Sequence, residues 1–527
     1  MNYDVIIVGS GASGLTAASY LAKSGYSTLV LEKAPYCGGL INSFTRDGIT
    51  FDGGIRALDN AGALFPMLKQ LGIEIEFLPN PITIGIEDQV IHVEEDLNLV
   101  AYENLLKSLY PESADEIGKI IVEIKQIMRY MEIQYGINNP IFLDIKTDRD
   151  YFIKEVFPWM FKYALNVRKV SAKNEPVIEY LRKFTNNQSL IDIIAQHFFT
   201  ATPAYFALSY FTLYKDYCYP KHGTGAFIQK LVDHIQEHGG EIITKAPVSS
   251  IDLENKKVLT KDGQRYGYRC LLWTADQKTL YEIINTETLT NQKTIEAVHE
   301  KRHALSDMRG NDSILTLFVS SDLESDYFSK VASAHCFYTP SREGQSSVGS
   351  PPFDRDWKSA EAWLERYFAL TTYEISIPAL RDSSLAPPGK TGLIISVLFD
   401  YQVAKYLYDQ GWEGPFRKLA EERMVSVLDQ SIYPGLAASV MDRFSSTPIT
   451  MQKLTGSTDG AITGWAFTNQ PMPAESRLIR IANSVNTPLP DVYQAGQWTY
   501  SPSGLPVSLI TGKMAADKAH KRLKQSD

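Results

Sequence analysis

The stretch Tyr3-Asp-Val-Ile-Ile-Val8-Gly9-Ser10-Gly11-Ala12-Ser13-Gly14, followed by a small-residue helix pattern to about Lys23 and then Ser27-Thr-Leu-Val-Leu31-Glu32-Lys33, decides the fold. An apolar run, a glycine turn, a helix and a second apolar run make a βαβ unit. In that setting Gly9-x-Gly11-x-x-Gly14 is a dinucleotide fingerprint. Gly9 permits the tight turn, Gly11 lets the backbone approach a pyrophosphate, and Gly14 brings helix and strand together. Ser10, Ala12 and Ser13 fill the turn, and the helix N-terminus attracts the phosphate charge. Glu32 ends the second strand 18 residues after Gly14, where a carboxylate takes a ribose hydroxyl. An acidic residue there favours FAD or NAD over NADP, and Lys33 beside it is a further candidate for cofactor contact.

Working outward, 527 residues exceed what one core organises, so two or three units are expected. Hydrophobic residues at 44% and charged residues at 21% describe an ordered chain. A net charge of −9 argues against nucleic acid, whose phosphates require a concentrated basic surface. Cys37, Cys218, Cys270 and Cys336 are far apart with no C-x-x-C pair, which points to neither a metal site nor a disulfide framework. No run reaches the ~20 apolar residues of a membrane span, and no secretory leader pattern is present. The expectation is a cytoplasmic protein that meets a membrane, if at all, only peripherally.

Periodicity divides the chain. Residues 1–60 form the first nucleotide-binding segment. Residues 61–219 read as a helical insertion facing substrate or membrane, with apolar residues at three-to-four spacing over 114–128. Residues 220–280 return to helix and strand, with a helix near 227–238 and strands near 241–244, 248–252 and 257–260. Residues 281–480 read as a substrate domain with a mixed sheet, and 481–527 as a third nucleotide-binding segment. No repeat or linker separates these parts, so the domains interleave.

Further motifs select among nucleotides. Cys37-Gly38-Gly39-Leu40, Phe51-Asp52-Gly53-Gly54-Ile55, Asp491-Val-Tyr-Gln-Ala-Gly496-Gln497-Trp498 and Ser503-Gly504-Leu505-Pro506 occur together. With residues 201–210, Tyr219-Pro220-Lys221 and Gly223-Thr-Gly225, the set resembles the amine oxidase flavoprotein superfamily, in its phytoene desaturase and carotenoid isomerase branch. The resemblance implies an α/β protein: a discontinuous Rossmann-type FAD-binding domain, a mixed-sheet substrate domain and an inserted helical subdomain. It places Gly38, Gly39, Leu40, Gly53, Gly54 and Ile55 against the ribityl chain and isoalloxazine, and Val248 against the adenine. Gly496 opens the C-terminal FAD segment, with Gln497 near the phosphate or ribityl chain. Gly504, Leu505 and Pro506 open a helix whose N-terminus faces the flavin N1/O2 edge and stabilises the anionic reduced ring.

The implied activity is redox or isomerisation chemistry at carbon–carbon bonds of an apolar isoprenoid or polyene substrate, with the electron donor or acceptor and the oligomeric state left open. No nucleophile motif, metal cluster or carboxylate pair can be placed at the flavin, as where the cofactor carries the chemistry. Two other readings stand beside it: an amine or amino-acid oxidase, and a flavin- or lipid-binding protein without turnover. Leu40, where amine oxidases commonly carry Arg, weighs against the first.

No catalytic acid or base is assigned. Arg56 and His222 are polar insertions where the family pattern faces flavin or substrate, each weighed against a plainer role: a salt-bridged structural arginine and a solvent-facing loop histidine. The aromatic series from His197 to Tyr219 is read either as a tunnel for a long apolar substrate or as core. Phe157-Pro-Trp-Met-Phe-Lys162, with Arg168 and Lys169, is read either as a membrane-resting helix or as a packing helix. The loop Thr455-Gly-Ser-Thr-Asp-Gly460 is expected to wall or cover the pocket, or to be only a turn.

Overall fold

Asn2–Val8 is a central strand of a seven-stranded sheet in the computed structural model, which describes residues 1–93, 99–354 and 356–525. Val5, Ile6 and Ile7 have no exposed surface, because each face of the sheet is covered. Val5 and Ile7 join a core with Leu15 and Leu509, and Ile6 joins one with Leu280 and Val298. A strand buried on both faces has no polar alternation, which is why the sequence reads as a continuous apolar run. The order is Glu241–Ile243, Thr28–Leu31, Asn2–Val8, Arg265–Trp273, Lys257–Thr260, Val248–Asp252, and Val492–Gln494 runs parallel to Arg265–Trp273. Three distant chain segments therefore build one nucleotide-binding sheet.

The fingerprint helix is Ala12–Lys23, with Gly11 as its N-cap, starting about three residues earlier than the sequence suggests. It packs against the C-terminal helix Leu505–Lys524. Gly512 allows this approach: a Cβ there would lie 2.5 Å from the Ser13 carbonyl oxygen.

The second sheet is ordered Val440–Ser446, Ser313–Ser321, Thr391–Phe399, Tyr373–Ser376, His335–Thr339, Ile82–Ile86, Gln89–Val93. All its pairings are antiparallel except that of His335–Thr339 with Ile82–Ile86, so the sheet is mixed. The last two strands come from the stretch read as helical insertion. Leu58–Asp59, Phe77–Pro79 and Tyr217–Pro220 also form a small sheet, which leaves residues 100–215 as the helical body. Within it Ile117, Ile120, Ile121, Ile124 and Ile127 bury one face of Ala114–Tyr135. No helix among the described residues is long and apolar enough to cross a membrane.

Candidate functional site

One cavity of about 970 Å³ runs from the fingerprint turn to the second sheet and the helical body. Its nucleotide end is lined by Gly9, Ser10, Gly11, Ala12, Ser13, Glu32, Lys33 and Val248, and its middle by Gly38, Gly39, Leu40, Gly53, Gly54, Ile55, Gln497, Gly504, Leu505 and Pro506. The N-termini of Ala12–Lys23 and Leu505–Lys524 thus both open onto the cavity, each leaving backbone N–H groups without intrahelical partners. Gly14 and Gly496 stand one layer behind the wall. A Cβ on Gly14 would lie 2.1 Å from the Gly9 carbonyl oxygen, and one on Gly496 2.7 Å from Ser13 Oγ.

Gly11 behaves oppositely, since a Cβ there meets nothing within 4 Å. Its φ of −69° is open to any residue, so its missing side chain leaves room for a ligand and does not relieve strain. Gly53 and Gly54 are needed for a different reason from the one the resemblance implies. A Cβ would lie 2.1 Å from Asn42 Oδ1 and 2.0 Å from the Leu40 carbonyl oxygen respectively, so their bareness serves loop against loop.

Glu32 is buried and holds the turn from below. Its Oε2 accepts from Ser10 N at 2.8 Å and Ser10 Oγ at 2.7 Å, and Oε1 accepts from Ala34 N at 2.8 Å. Oε2 is thereby saturated, whereas Oε1, with one donor, keeps a lone pair for a ribose hydroxyl. Thr455, Gly456 and Ser457 wall this end, where Lys33 Nζ donates to the Lys453 carbonyl at 3.4 Å. Open space beside Gly11, the Glu32 carboxylate beneath the turn and two helix N-termini at the cavity fit FAD. These residues would hold it, and FAD when bound supplies a two-electron hydride-transfer centre.

Behind Gly53 stands Asp52, with no exposed surface. Its Oδ1 accepts from Ser43 Oγ at 2.8 Å and from Thr224 N and Oγ1 at 2.9 Å, and its Oδ2 accepts from Tyr219 Oη at 2.7 Å. The neighbouring strand at Ser43 and the remote stretch 219–224 are thereby pinned behind the Gly53-Gly54 wall.

Arg56 lines the cavity and is buried, but as a brace: it donates to the carbonyls of Asp52 (2.9 Å) and Gly54 and to Ser396 Oγ (2.8 Å). His222 is not part of the cavity wall. Its side chain is 66% exposed, with Nδ1 3.4 Å from Asp382, as a loop histidine turned to solvent. Of the aromatic series, His197, Phe198, Phe199, Tyr205, Phe206, Tyr210 and Tyr217 line the cavity, whereas Tyr219 is fully buried core. Burial pushes His197 down to about 4, so its imidazole is neutral and part of the apolar wall.

The second sheet contributes residues that sequence reading passed over. Thr316, Ser396, Glu374 and Phe337 lie in register on four neighbouring strands and face the cavity with His335. Asp59 lines the cavity too, and burial pushes its carboxyl up to about 7. Glu374 did carry a signal, being a charge inside the otherwise uncharged strand Tyr373–Ser376. Asp59, in a two-residue strand, carried none.

A nucleotide cradle assembled from three chain segments, opening into an aromatic-walled chamber over a mixed sheet, defines a flavin-dependent oxidoreductase scaffold. Residues 12–322, more than half of the chain, match the family described as flavin containing amine oxidoreductase, and the chain belongs to that family. It is an FAD-dependent oxidoreductase. The chain is 24% identical to the chloroplastic prolycopene isomerase of Daucus carota, over 98% of this chain and 80% of the isomerase. It is 23% identical to the lycopene-forming phytoene desaturase of Pantoea ananas, over 97% of each. Among solved structures, a triple mutant of putrescine oxidase superposes with a TM-score of 0.61 at 13% identity, covering 99% of each chain, which is a likeness of fold.

Proposed function

We propose that this protein uses FAD to act on carbon–carbon bonds of a long apolar, polyene-like substrate, by desaturation, saturation or double-bond isomerisation, as the names of the isomerase and desaturase relatives suggest. The observation that carries this reading is the substrate half of the cavity. Its aromatic walls from His197 to Tyr217, with Tyr135, Trp159 and Tyr163 from the helical body, are continuous with the cofactor half. Such walls bind a conjugated chain through area and ring contacts, and they exclude water from a reacting carbon. Chromatography of a cis-polyene after incubation with the FAD-loaded protein, oxidised and pre-reduced, tests it. The expected result is a polyene with altered number or geometry of double bonds. Unchanged polyene alongside consumption of an amine would overturn the reading in favour of an amine oxidase.

The substrate's insolubility in water calls for delivery from a lipid surface, and Phe157–Ser171 is suited to meet one. Phe157, Met160, Phe161 and Leu165 are exposed, at 55–74%, as is Ile153 just before them. The helix carries Lys162, Arg168 and Lys169 and no acidic residue, matching an anionic interface. Trp159 and Tyr163 of the same helix line the cavity, so the lipid-facing surface adjoins the substrate wall. Each phenylalanine buried in lipid contributes about 1.5 kcal/mol or more. Phe157→Asp with Phe161→Asp is therefore expected to weaken sedimentation with phosphatidylglycerol vesicles at least about tenfold, with the melting temperature unchanged.

A further inference from the structure

Glu374 is a charged residue in a buried strand, and the residues around it dictate its state. On Asn80, which is 3% exposed, Oδ1 accepts from Arg381 Nε, so the amide nitrogen is the donor toward His335 Nδ1 at 3.3 Å. With Nδ1 accepting, the imidazole proton sits on Nε2, which donates to Glu374 Oε1 at 2.9 Å. Arg381, Asn80, His335 and Glu374 thus form a chain of fixed polarity. Tyr217 stacks on the His335 ring at 10° with centroids 6.0 Å apart, which holds its plane.

The chain ends in the open. The His335 side chain is 2% exposed, whereas that of Glu374 is 28% exposed deep inside the protein, because it opens onto the cavity. Oε1 is occupied by His335, while Oε2 has no hydrogen-bond partner among the described residues. Burial pushes the Glu374 carboxyl up, but the His335 hydrogen bond and the Arg56 and Arg381 charges outweigh it and hold the group below the usual carboxylate range. Burial keeps His335 neutral. Glu374 is therefore an anion with one oxygen unpartnered among the described residues, in a chamber with aromatic walls.

We propose that Glu374 is the proton-transferring carboxylate of the substrate half, and that His335, held by Asn80 and Arg381, is the residue that positions it. This rests on the function proposed above. Dehydrogenation of a carbon–carbon bond removes a hydride and a proton from adjacent carbons, and the hydride electrons go to the family's FAD. At the second carbon the C–H bond breaks, its electron pair closes the double bond, and the proton passes to Oε2. In the saturating direction the same proton returns. The carboxylate also faces the positive charge that develops on an allylic carbon as hydride leaves.

The test uses FAD-loaded protein and two probes of equal chain length, decyltrimethylammonium and a neutral decyl ether of tetraethylene glycol. Their binding is read by tryptophan fluorescence, since Trp159 and Trp498 line the cavity. The cation is expected to bind about tenfold tighter or better, and Glu374→Gln, whose carbonyl still accepts from His335, to bind both probes equally. Asp59→Asn, which removes another of the cavity's carboxyls, is expected to keep the preference. The charged and titratable groups around Glu374 are His335, Arg56, Arg381 and the phenols of Tyr210 and Tyr214. Of these only His335 donates to the carboxylate, so His335→Asn is expected to move the pH midpoint of cation binding upward. A polyene that changes the flavin's redox state in the wild type is expected to do so at least about 100-fold more slowly with Glu374→Gln. A cation preference that survives Glu374→Gln, or disappears in Asp59→Asn, would overturn the assignment. If no polyene reacts with the wild type, the proposed function fails, while the probe comparison still decides whether Glu374 faces the cavity's occupant.

Discussion

Gly11→Val yields a folded, colourless protein. Gly11 has an ordinary φ of −69°, and a Cβ built on it touches nothing within 4 Å, so the substitution introduces neither backbone strain nor a clash in the apoprotein. The new isopropyl group occupies the open space beside the turn, where the pyrophosphate has to lie against bare backbone. A collision of about 3 kcal/mol corresponds to binding weaker by roughly a hundredfold, enough to lose the cofactor during purification. The check is the ratio of flavin to protein absorbance beside a thermal melt of the apoproteins, where wild type and variant should agree. Full flavin occupancy would mean that the cofactor does not cross the turn at Gly11. Gly14 does not serve for this experiment, because a Cβ 2.1 Å from the Gly9 carbonyl oxygen breaks the helix–strand contact itself.

Asp52→Ala has the largest expected effect on stability. The carboxylate is fully buried and accepts from Ser43, Thr224 twice and Tyr219. Alanine removes the acceptor of Ser43 Oγ, Thr224 N and Tyr219 Oη and leaves Thr224 Oγ1 with only the Asn42 carbonyl at 3.3 Å, a loss of about 3–5 kcal/mol after local relaxation. Arg56 donates to the Asp52 carbonyl and to Gly54, so the disturbance reaches the flavin-facing wall. Chemical denaturation should show a lower midpoint, and FAD should dissociate faster even below that midpoint. Asp52→Asn, which keeps one acceptor oxygen, is expected to fall between the two. A denaturation midpoint unchanged in Asp52→Ala would show that this network does not hold the wall.

The nucleotide half was legible in the sequence because its constraints are local. Two apolar runs around a glycine turn, with a carboxylate at the end of the second, are set by what a βαβ unit needs over about 30 residues. Glu32 lines the cavity beneath the turn, as that spacing implies. The substrate half was less legible because long-range pairing builds it. Ile82–Ile86 joins His335–Thr339 across some 250 residues, and two five-residue strands inside a helical stretch leave no periodicity that separates them from loop. The row Thr316, Ser396, Glu374 becomes a row only through the registers of three antiparallel strands. Gly53 and Gly54 illustrate a subtler limit: the motif is visible, yet the atoms that require glycine there, on Asn42 and Leu40, emerge only in three dimensions. The two readings of Phe157-Pro-Trp-Met-Phe-Lys162 also needed the fold, which separates its side chains: Trp159 and Tyr163 line the cavity while Phe157, Met160 and Phe161 are exposed.

The most direct test of the account is an anaerobic visible spectrum of the FAD-loaded protein, oxidised and pre-reduced, titrated first with a cis-polyene and then with a panel of amines. The account predicts a polyene-dependent change: bleaching of the oxidised flavin, recovery of the reduced one, or a shift of the polyene's own band at constant flavin state, with amines inert. Bleaching by an amine, with every polyene leaving both chromophores untouched, would contradict it.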